Sequence, residues 1–102
     1  ARAINPPAAT SGGDATAAHR RLKLAEKHFQ AKLYVQALAN AKNSIEKDPT
    51  VAAAHALMGQ ILAAQNLRDE ALWSFARALE LDPANAAALR GKADLETKGN
   101  QP

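Results

Sequence analysis

A five-residue segment of this sequence occurs twice at a fixed distance. Ile45-Glu46-Lys47-Asp48-Pro49 returns as Leu79-Glu80-Leu81-Asp82-Pro83, which is a shift of 34 residues from position 45 to position 79. A period of this size is typical of repeat proteins, in which each unit is one supersecondary element that buries its apolar face against its neighbours. The chain is therefore predicted to be an array of small stacked units.

Each unit contains two apolar stripes with helical spacing. In the second unit the stripes are separated by the polar break Asn66-Leu67-Arg68-Asp69, where Asp69 favours a helix start. Residues recurring at i, i+1, i+4 and i+5 fall on one helix face, which predicts two amphipathic helices per unit. The first unit repeats the pattern more weakly. The stripes of the second unit are Leu57, Met58, Ile61 and Leu62, then Ala71, Leu72, Phe75, Ala78 and Leu79.

Helix ends are marked by the two Asp-Pro pairs, because the residue before proline avoids the α region. Thr50 and Asn85 follow these pairs and are predicted to be N-caps. The resulting boundaries are a flexible segment 1–15, repeats 18–51 and 52–85, a single capping helix 86–98 and a frayed tail 99–102. The domain spans 16–98 and contains about five helices.

Composition supports an all-α fold. Alanine is the commonest residue, aromatic residues make up only 4%, and strands favour aromatic and β-branched residues. Cysteine is absent, which excludes disulfides and thiolate chemistry. No apolar run approaches the roughly 20 residues of a membrane span. The chain has neither an initiating Met nor a signal-peptide pattern, which predicts an excised or processed fragment and leaves a cytoplasmic or a periplasmic location open.

The net charge is +3, and much of the excess lies between His19 and His28. This basic stretch has two interpretations: a patch for an acidic partner or nucleic acid, or the solvated face of the first helix. The second is preferred, since Glu26 interrupts the run. Nucleic-acid binding is not favoured, because the stretch has no aromatic platform for stacking bases.

The residues at fixed offsets in both units resemble the tetratricopeptide repeat (TPR) family. The resemblance covers about residues 18–98, and the second unit matches better. In the first, Ala41 stands where the second has Phe75 and Ser44 where it has Ala78, so the first repeat is expected to be less stable. The family resemblance implies a right-handed superhelix of antiparallel helix pairs whose first helices line a concave groove. The residues that carry it are Leu24-Ala25, Tyr34, Ala37, Ser44 and Pro49, then Met58-Gly59, Ala71, Phe75, Ala78 and Pro83.

The same resemblance implies where a partner would bind. The projected groove is rich in alanine, with Gln60 as its main hydrogen-bonding group and Leu22 and Phe29 as its hydrophobic wall. An amphipathic helix or an extended apolar segment would suit such a surface. The alternative is that these alanines are only helix formers and that binding occurs elsewhere. The projected groove residues are Leu22, Glu26, Phe29, Gln30, Ala53, Ala56, Gln60, Ala63, Ala64, Arg90 and Asp94, with His19 and Ala87 beside them.

One TPR subclass binds C-terminal carboxylates through a set of Lys, Asn, Asn, Lys and Arg side chains in the groove. None of the matching positions in this chain carries the required residue, so a ligand of that kind is not expected. Those positions are Leu22, Glu26, Leu57, Ala87 and Gly91.

Trp73 lies next to the apolar stripe of the fourth helix. It is interpreted either as an exposed anchor on the convex face or as a partly buried residue packed on the adjacent helix, and the second is preferred. His28 and His55 project toward packing positions and do not have metal-ligand spacing. No catalytic, cofactor-binding or metal-binding residue is predicted.

These features predict a non-enzymatic protein-interaction module, an adaptor or scaffold that holds a peptide or a helix of a partner protein within a larger assembly of a bacterial type. The alternative is a structural domain that self-associates through Trp73 or the groove, which would add stability to a short array. A small-molecule substrate is not expected.

Overall fold

The computed structural model describes residues 14–99, without the side chains of residues 98 and 99. Within this range the chain forms five α-helices and no strand, which confirms the all-α prediction. The helices are α1 (Ala15–Gln30), α2 (Tyr34–Lys47), α3 (Ala52–Ala64), α4 (Arg68–Leu81) and α5 (Ala86–Gly99). None of these helices is long and apolar enough to cross a membrane.

The 34-residue period is visible in the backbone. α1 with α2 and α3 with α4 form two helical hairpins, while α5 packs alone against α3 and α4. Each hairpin turn contains one non-glycine residue in the left-handed region, Lys32 (φ 63°) and Asn66 (φ 65°), at the same position of the repeat. Such a residue commonly ends a helix and reverses the chain. The two turns therefore have the same geometry despite different side chains.

The start of the domain differs from the prediction. Asp14 and Ala15 were expected in the flexible segment, but α1 begins at Ala15, and the Asp14 side chain caps it by accepting a hydrogen bond from the Ala17 amide at 3.0 Å. The Asp14 amide also donates to the Lys47 carbonyl at 2.7 Å, which ties the start of α1 to the end of α2. The rest of the predicted flexible segment, residues 1–13, lies outside the described residues, as does 100–102 of the predicted tail. Residue 99 belongs to α5.

The Asp-Pro pairs end helices as predicted, since Asp48 and Asp82 are the C-caps of α2 and α4. Asn85 caps α5 as predicted, because its Oδ1 accepts from the Ala88 amide at 2.9 Å. The prediction for Thr50 is wrong: α3 is preceded by Val51, without a side-chain cap.

Thr50 pairs instead with the carboxylate of Asp48. The Thr50 amide and hydroxyl donate to Asp48 Oδ1 at 3.0 and 2.6 Å. The hydroxyl first, and then the amide, lower the pKa of Asp48 below its ordinary value, while burial opposes them. This local pairing satisfies a buried carboxylate at the junction between the two hairpins.

The core consists of two clusters that meet at α3. The first joins α1, α2 and α3, and the second joins α3, α4 and α5. α3 is thus buried on most sides, which agrees with its largely apolar sequence. The first cluster is Leu22, Ala25, Ala37, Ala41, Ala54, Leu57 and Ile61; the second is Ala56, Leu62, Ala71, Phe75, Ala78 and Ala88.

Phe75 lies at the centre of the second cluster and is 1% exposed. Its ring packs directly on the backbone of two glycines: a Cβ built on Gly59 would meet Phe75 Cε1 at 2.5 Å, and one on Gly91 would also overlap the ring. Only glycine therefore fits at both positions without movement of the ring. The aromatic ring fills the space between three helices.

The corresponding site in the first cluster is filled differently. Ala41 occupies the position of Phe75 and is fully buried. Leu57 occupies the position of Gly91 and lies in the same cluster, and Ala25 replaces Gly59. The larger side chain of Leu57, on the neighbouring helix, thus takes the place of the ring that is missing at Ala41. That the first repeat is the less stable one stays a prediction.

Candidate functional site

The exposed face of α1, α3 and α5 contains two adjoining depressions. The first has a volume of about 350 Å³ and the second about 190 Å³. Both include Gln60 and Ala87, so they form one continuous surface, here called the groove. The first depression is lined by Glu26, Phe29, Gln30, Ala53, Ala56, Leu57, Gln60, Asn85 and Ala87, and the second by Gln60, Ala63, Phe75, Ala87, Arg90, Gly91, Asp94 and Leu95.

The fold brings most of the projected residues together here. Alternate turns of the first helix of each hairpin, and of α5, supply them, because residues three and four apart share a helix face. Of the projected set, Glu26, Phe29, Gln30, Ala53, Ala56 and Gln60 line the first depression, and Gln60, Ala63, Arg90 and Asp94 line the second.

Leu22 does not belong to this surface. It was expected in the hydrophobic wall of the groove, but it is 5% exposed and packs in the first core cluster. The physical reason is the stacking of the next hairpin, since α3 covers the face of α1 that carries Leu22. Ala56, at the same repeat position, is likewise 2% exposed and forms only the floor of the depression. Arg90 is exposed there because no described helix follows α5.

Two other projected residues lie at the margin. Ala64 is exposed on the last turn of α3 and lines neither depression. His19 is exposed on the first turns of α1, where its Nδ1 lies 2.8 Å from the Ala15 carbonyl oxygen. Asn85 was missed as a lining residue, and the only sequence signal for it was its role as an N-cap.

The polar side chains of the groove are three amides and three charged groups. Gln30, Gln60 and Asn85 line the first depression, and Glu26 adds one carboxylate. The second depression contains the charged side chains of Arg90 and Asp94. Among the lining residues Arg90 is the one cation, so the groove lacks the set of basic side chains that would hold a carboxylate.

Phe29 forms one side of the first depression. It is half-buried and lies against Tyr34, with ring centroids 5.9 Å apart and planes inclined by 50°. Tilted aromatic pairs at this distance are favourable. The pair fixes an apolar surface at the end of α1 beside the alanines of α3.

His28 and His55 occupy packing positions, as expected. His55 is 6% exposed, and its Nε2 lies 2.9 Å from the Pro49 carbonyl oxygen, which it meets as a donor. His28 Nδ1 lies 3.1 Å from Asn40 Nδ2 between α1 and α2. Within residues 14–97, whose side chains are described, no group of three or more His, Cys, Asp or Glu is arranged to hold a metal ion.

Trp73 is more exposed than expected. The preferred interpretation was partial burial against the adjacent helix, but its exposed fraction is 67%. It lines a shallow depression on α4 together with Ala76, Arg77 and Glu80. Arg77 and Glu80 form an ion pair there, with 2.7 Å between nitrogen and oxygen. The neighbouring positions of α4 that face the core are Ala71, Ser74 and Phe75, and this register leaves position 73 in solvent.

No family model matches the chain, and no curated protein matches it significantly. Among solved structures, 35 chains match. One is described as the first TPR of Spaghetti (RPAP3) bound to the HSP90 peptide SRMEEVD. The similarity has a TM-score of 0.48 at 16% sequence identity and covers 89% of this chain and 99% of that chain.

Proposed function

We propose that this chain is a non-enzymatic protein-interaction module that holds an apolar peptide or helical segment of a partner protein in the groove. The observation that carries the proposal is the first depression, in which alanine methyl groups and one half-buried phenylalanine are combined with side-chain amides. Binding sites typically combine an apolar concave surface with a few polar groups that orient the ligand.

The small side chains give the ligand room. Ala53, Ala56 and Ala87 leave space above the helix backbones that a larger residue would fill. An apolar side chain of the ligand would lose its contact with water there and would pack against Phe29. The amides of Gln30 and Gln60 line the same depression and would bond with polar groups of the ligand, which would fix its orientation.

The experiment uses a display library of random peptides selected on the whole chain, followed by affinity measurements on the selected sequences. Ala53→Glu places a carboxylate in the first depression at an exposed position. Ala39→Glu makes the same change at an exposed position of α2, away from the groove, and is the matched control. Ala56 is unsuitable, because a glutamate there would be buried and would unfold the core.

We expect Ala53→Glu to weaken binding by at least about tenfold and Ala39→Glu to leave it unchanged. Selected peptides should also be enriched in large apolar residues. Peptides whose affinity is insensitive to Ala53→Glu would place the binding surface elsewhere and contradict the proposal.

The second candidate is self-association through Trp73, favoured by its 67% exposure. Exposed tryptophans are enriched at the centres of interfaces. Sedimentation at increasing concentration should then show a dimer that Trp73→Gln abolishes. A monomer at all concentrations would exclude this candidate and leave the groove as the functional surface.

A further inference from the structure

The outer face of α1 carries three cations in a row. Arg20, Lys23 and Lys27 are all exposed and are spaced by three and four residues, so they lie on one side of the helix over about 10 Å. These three residues are called the basic stripe. The groove adjoins the stripe along α1, since its lining residues Glu26 and Gln30 lie three residues beyond Lys23 and Lys27.

The basic stripe occupies repeat positions that are apolar or small in α3 and α5. One period later, the same positions of α3 are Ala54, Leu57 and Ile61, which are 0%, 6% and 0% exposed and pack on the first hairpin. In α5 the positions are Ala88, Gly91 and Leu95, which lie against the second hairpin. This helix face is therefore the one that each unit uses to dock on its predecessor. In α1 it is charged and open.

No ion pair among the described residues includes a member of the stripe. The three ion pairs among them, Arg68–Asp69, Arg77–Glu80 and Lys92–Glu96, all lie in α4 and α5. Residues 14–51 contain seven Lys and Arg against four Asp and Glu, whereas residues 52–99 contain five against six. Residues 1–13 contain no Asp or Glu that could pair with the stripe. The excess positive charge of the protein is thus concentrated in the first hairpin.

We propose that the basic stripe binds an acidic helix of a partner protein at the α1 end of the array, beside the groove and not within it. A helix with Glu or Asp at intervals of three and four residues repeats its charges once per turn, which matches the spacing of Arg20, Lys23 and Lys27. An apolar hairpin cannot dock there, because it would bury three unpaired cations.

The structure favours protein over nucleic acid at this surface. Affinity for nucleic acid grows with the number of phosphates neutralised, and the stripe offers three cations on one short face. Single-strand binders add aromatic side chains that stack on bases. The aromatic residues of this hairpin, Phe29 and Tyr34, pack against each other instead.

The test measures fluorescence anisotropy of a labelled synthetic helical peptide with Glu at intervals of three and four residues, at low and at physiological salt. The same peptide with Gln in place of Glu, and a labelled single-stranded oligonucleotide, are measured beside it. The protein variants are Lys23→Gln/Lys27→Gln and, as matched control, Lys42→Gln/Lys47→Gln. The control removes two exposed lysines from α2 of the same hairpin. Lys and Gln have similar helix propensities, so both variants should fold.

We expect the Glu peptide to bind, the Gln peptide to bind at least about tenfold more weakly, and the affinity to fall with salt. Lys23→Gln/Lys27→Gln should weaken binding by about tenfold, whereas the control should change it less than about twofold. Equal losses in both variants would show a general effect of net charge and overturn the proposal. Absence of binding to the Glu peptide at low salt, or tighter binding of the oligonucleotide through the same two lysines, would overturn it as well.

Discussion

Adding one methyl group at Gly59 is predicted to destabilise the second hairpin. In Gly59→Ala the new Cβ would lie 2.5 and 2.6 Å from Phe75 Cε1 and Cδ1. Non-bonded carbon atoms do not approach each other this closely in proteins. The ring is 1% exposed, and the backbone of Gly91 closes its other side, so it has no space into which to move.

The magnitude follows from two opposing effects. Overpacking of a close-packed core costs about 1–3 kcal/mol, and the upper part applies because relaxation of the ring is blocked on both sides. Replacing glycine by alanine within a helix recovers about 1 kcal/mol. The net loss in the free energy of unfolding should be about 2 kcal/mol.

The assay is urea denaturation followed by circular dichroism at 222 nm, the helical band, on the whole chain. With a slope of about 1 kcal/mol/M, the midpoint should fall by about 2 M. Ala76→Gly, at an exposed position of α4, measures the propensity effect alone with opposite sign.

A double-mutant cycle separates the steric effect from other causes. In a Phe75→Leu background the cost of Gly59→Ala should shrink or vanish, because leucine lacks the Cε1 and Cζ atoms that the new Cβ meets and its remaining Cδ atoms can rotate away. The reasoning is refuted if Gly59→Ala is as stable as the parent while Phe75 is present, or if its cost is unchanged in the Phe75→Leu background.

Two further predictions concern buried polar groups. Ser44→Ala should lower the free energy of unfolding by about 1 kcal/mol, because it removes the hydrogen bond of 2.7 Å that Ser44 Oγ donates to the Ala18 carbonyl. Ser74→Ala should be neutral or stabilising, since the buried Ser74 Oγ has no hydrogen-bond partner among the described residues. Urea titrations of the two variants would show this contrast, and equal losses would contradict it. Thr50→Val should lower stability by about 1 kcal/mol at neutral pH, because it removes a bond to the Asp48 carboxylate. The lowered pKa of Asp48 stabilises the fold above its unfolded pKa, near 3.8, and this contribution is lost as the pH falls through the folded pKa. The difference between Thr50→Val and the parent should therefore shrink below about pH 4, and a difference independent of pH would contradict this account.

The helices could be predicted from sequence because the repeat gives the same information twice. The Asp-Pro pairs end α2 and α4, and Asn85 caps α5, because these effects depend on a few neighbouring residues. Thr50 was misassigned since two local hydrogen bonds compete for the same residue. As an N-cap it would bond to α3, but the adjacent Asp48 carboxylate is a stronger acceptor.

The surface was harder to predict because exposure depends on neighbouring helices. Leu22 and Arg90 occupy the same position of the repeat. Leu22 is buried because α3 covers it, whereas Arg90 is exposed because it lies on α5, the last described helix. Trp73 has a large apolar side chain, which favours burial in any sequence-based argument. Its position on α4 is decided by the neighbouring Ser74 and Phe75, which turn toward the core.

The different fillings of the two clusters mean that the hairpins are not interchangeable parts. The pairs Ala41 with Leu57 and Phe75 with Gly91 each combine one large and one small side chain across a junction. If the second hairpin were duplicated, Phe75 would meet the next copy's Leu57, and two large residues would compete for one space. If the first hairpin preceded α5 directly, Ala41 would face Gly91 and leave a void. The side chains at each junction therefore determine which unit can follow which along the chain. Lengthening such an array by recombination would require paired substitutions on both sides of each new junction.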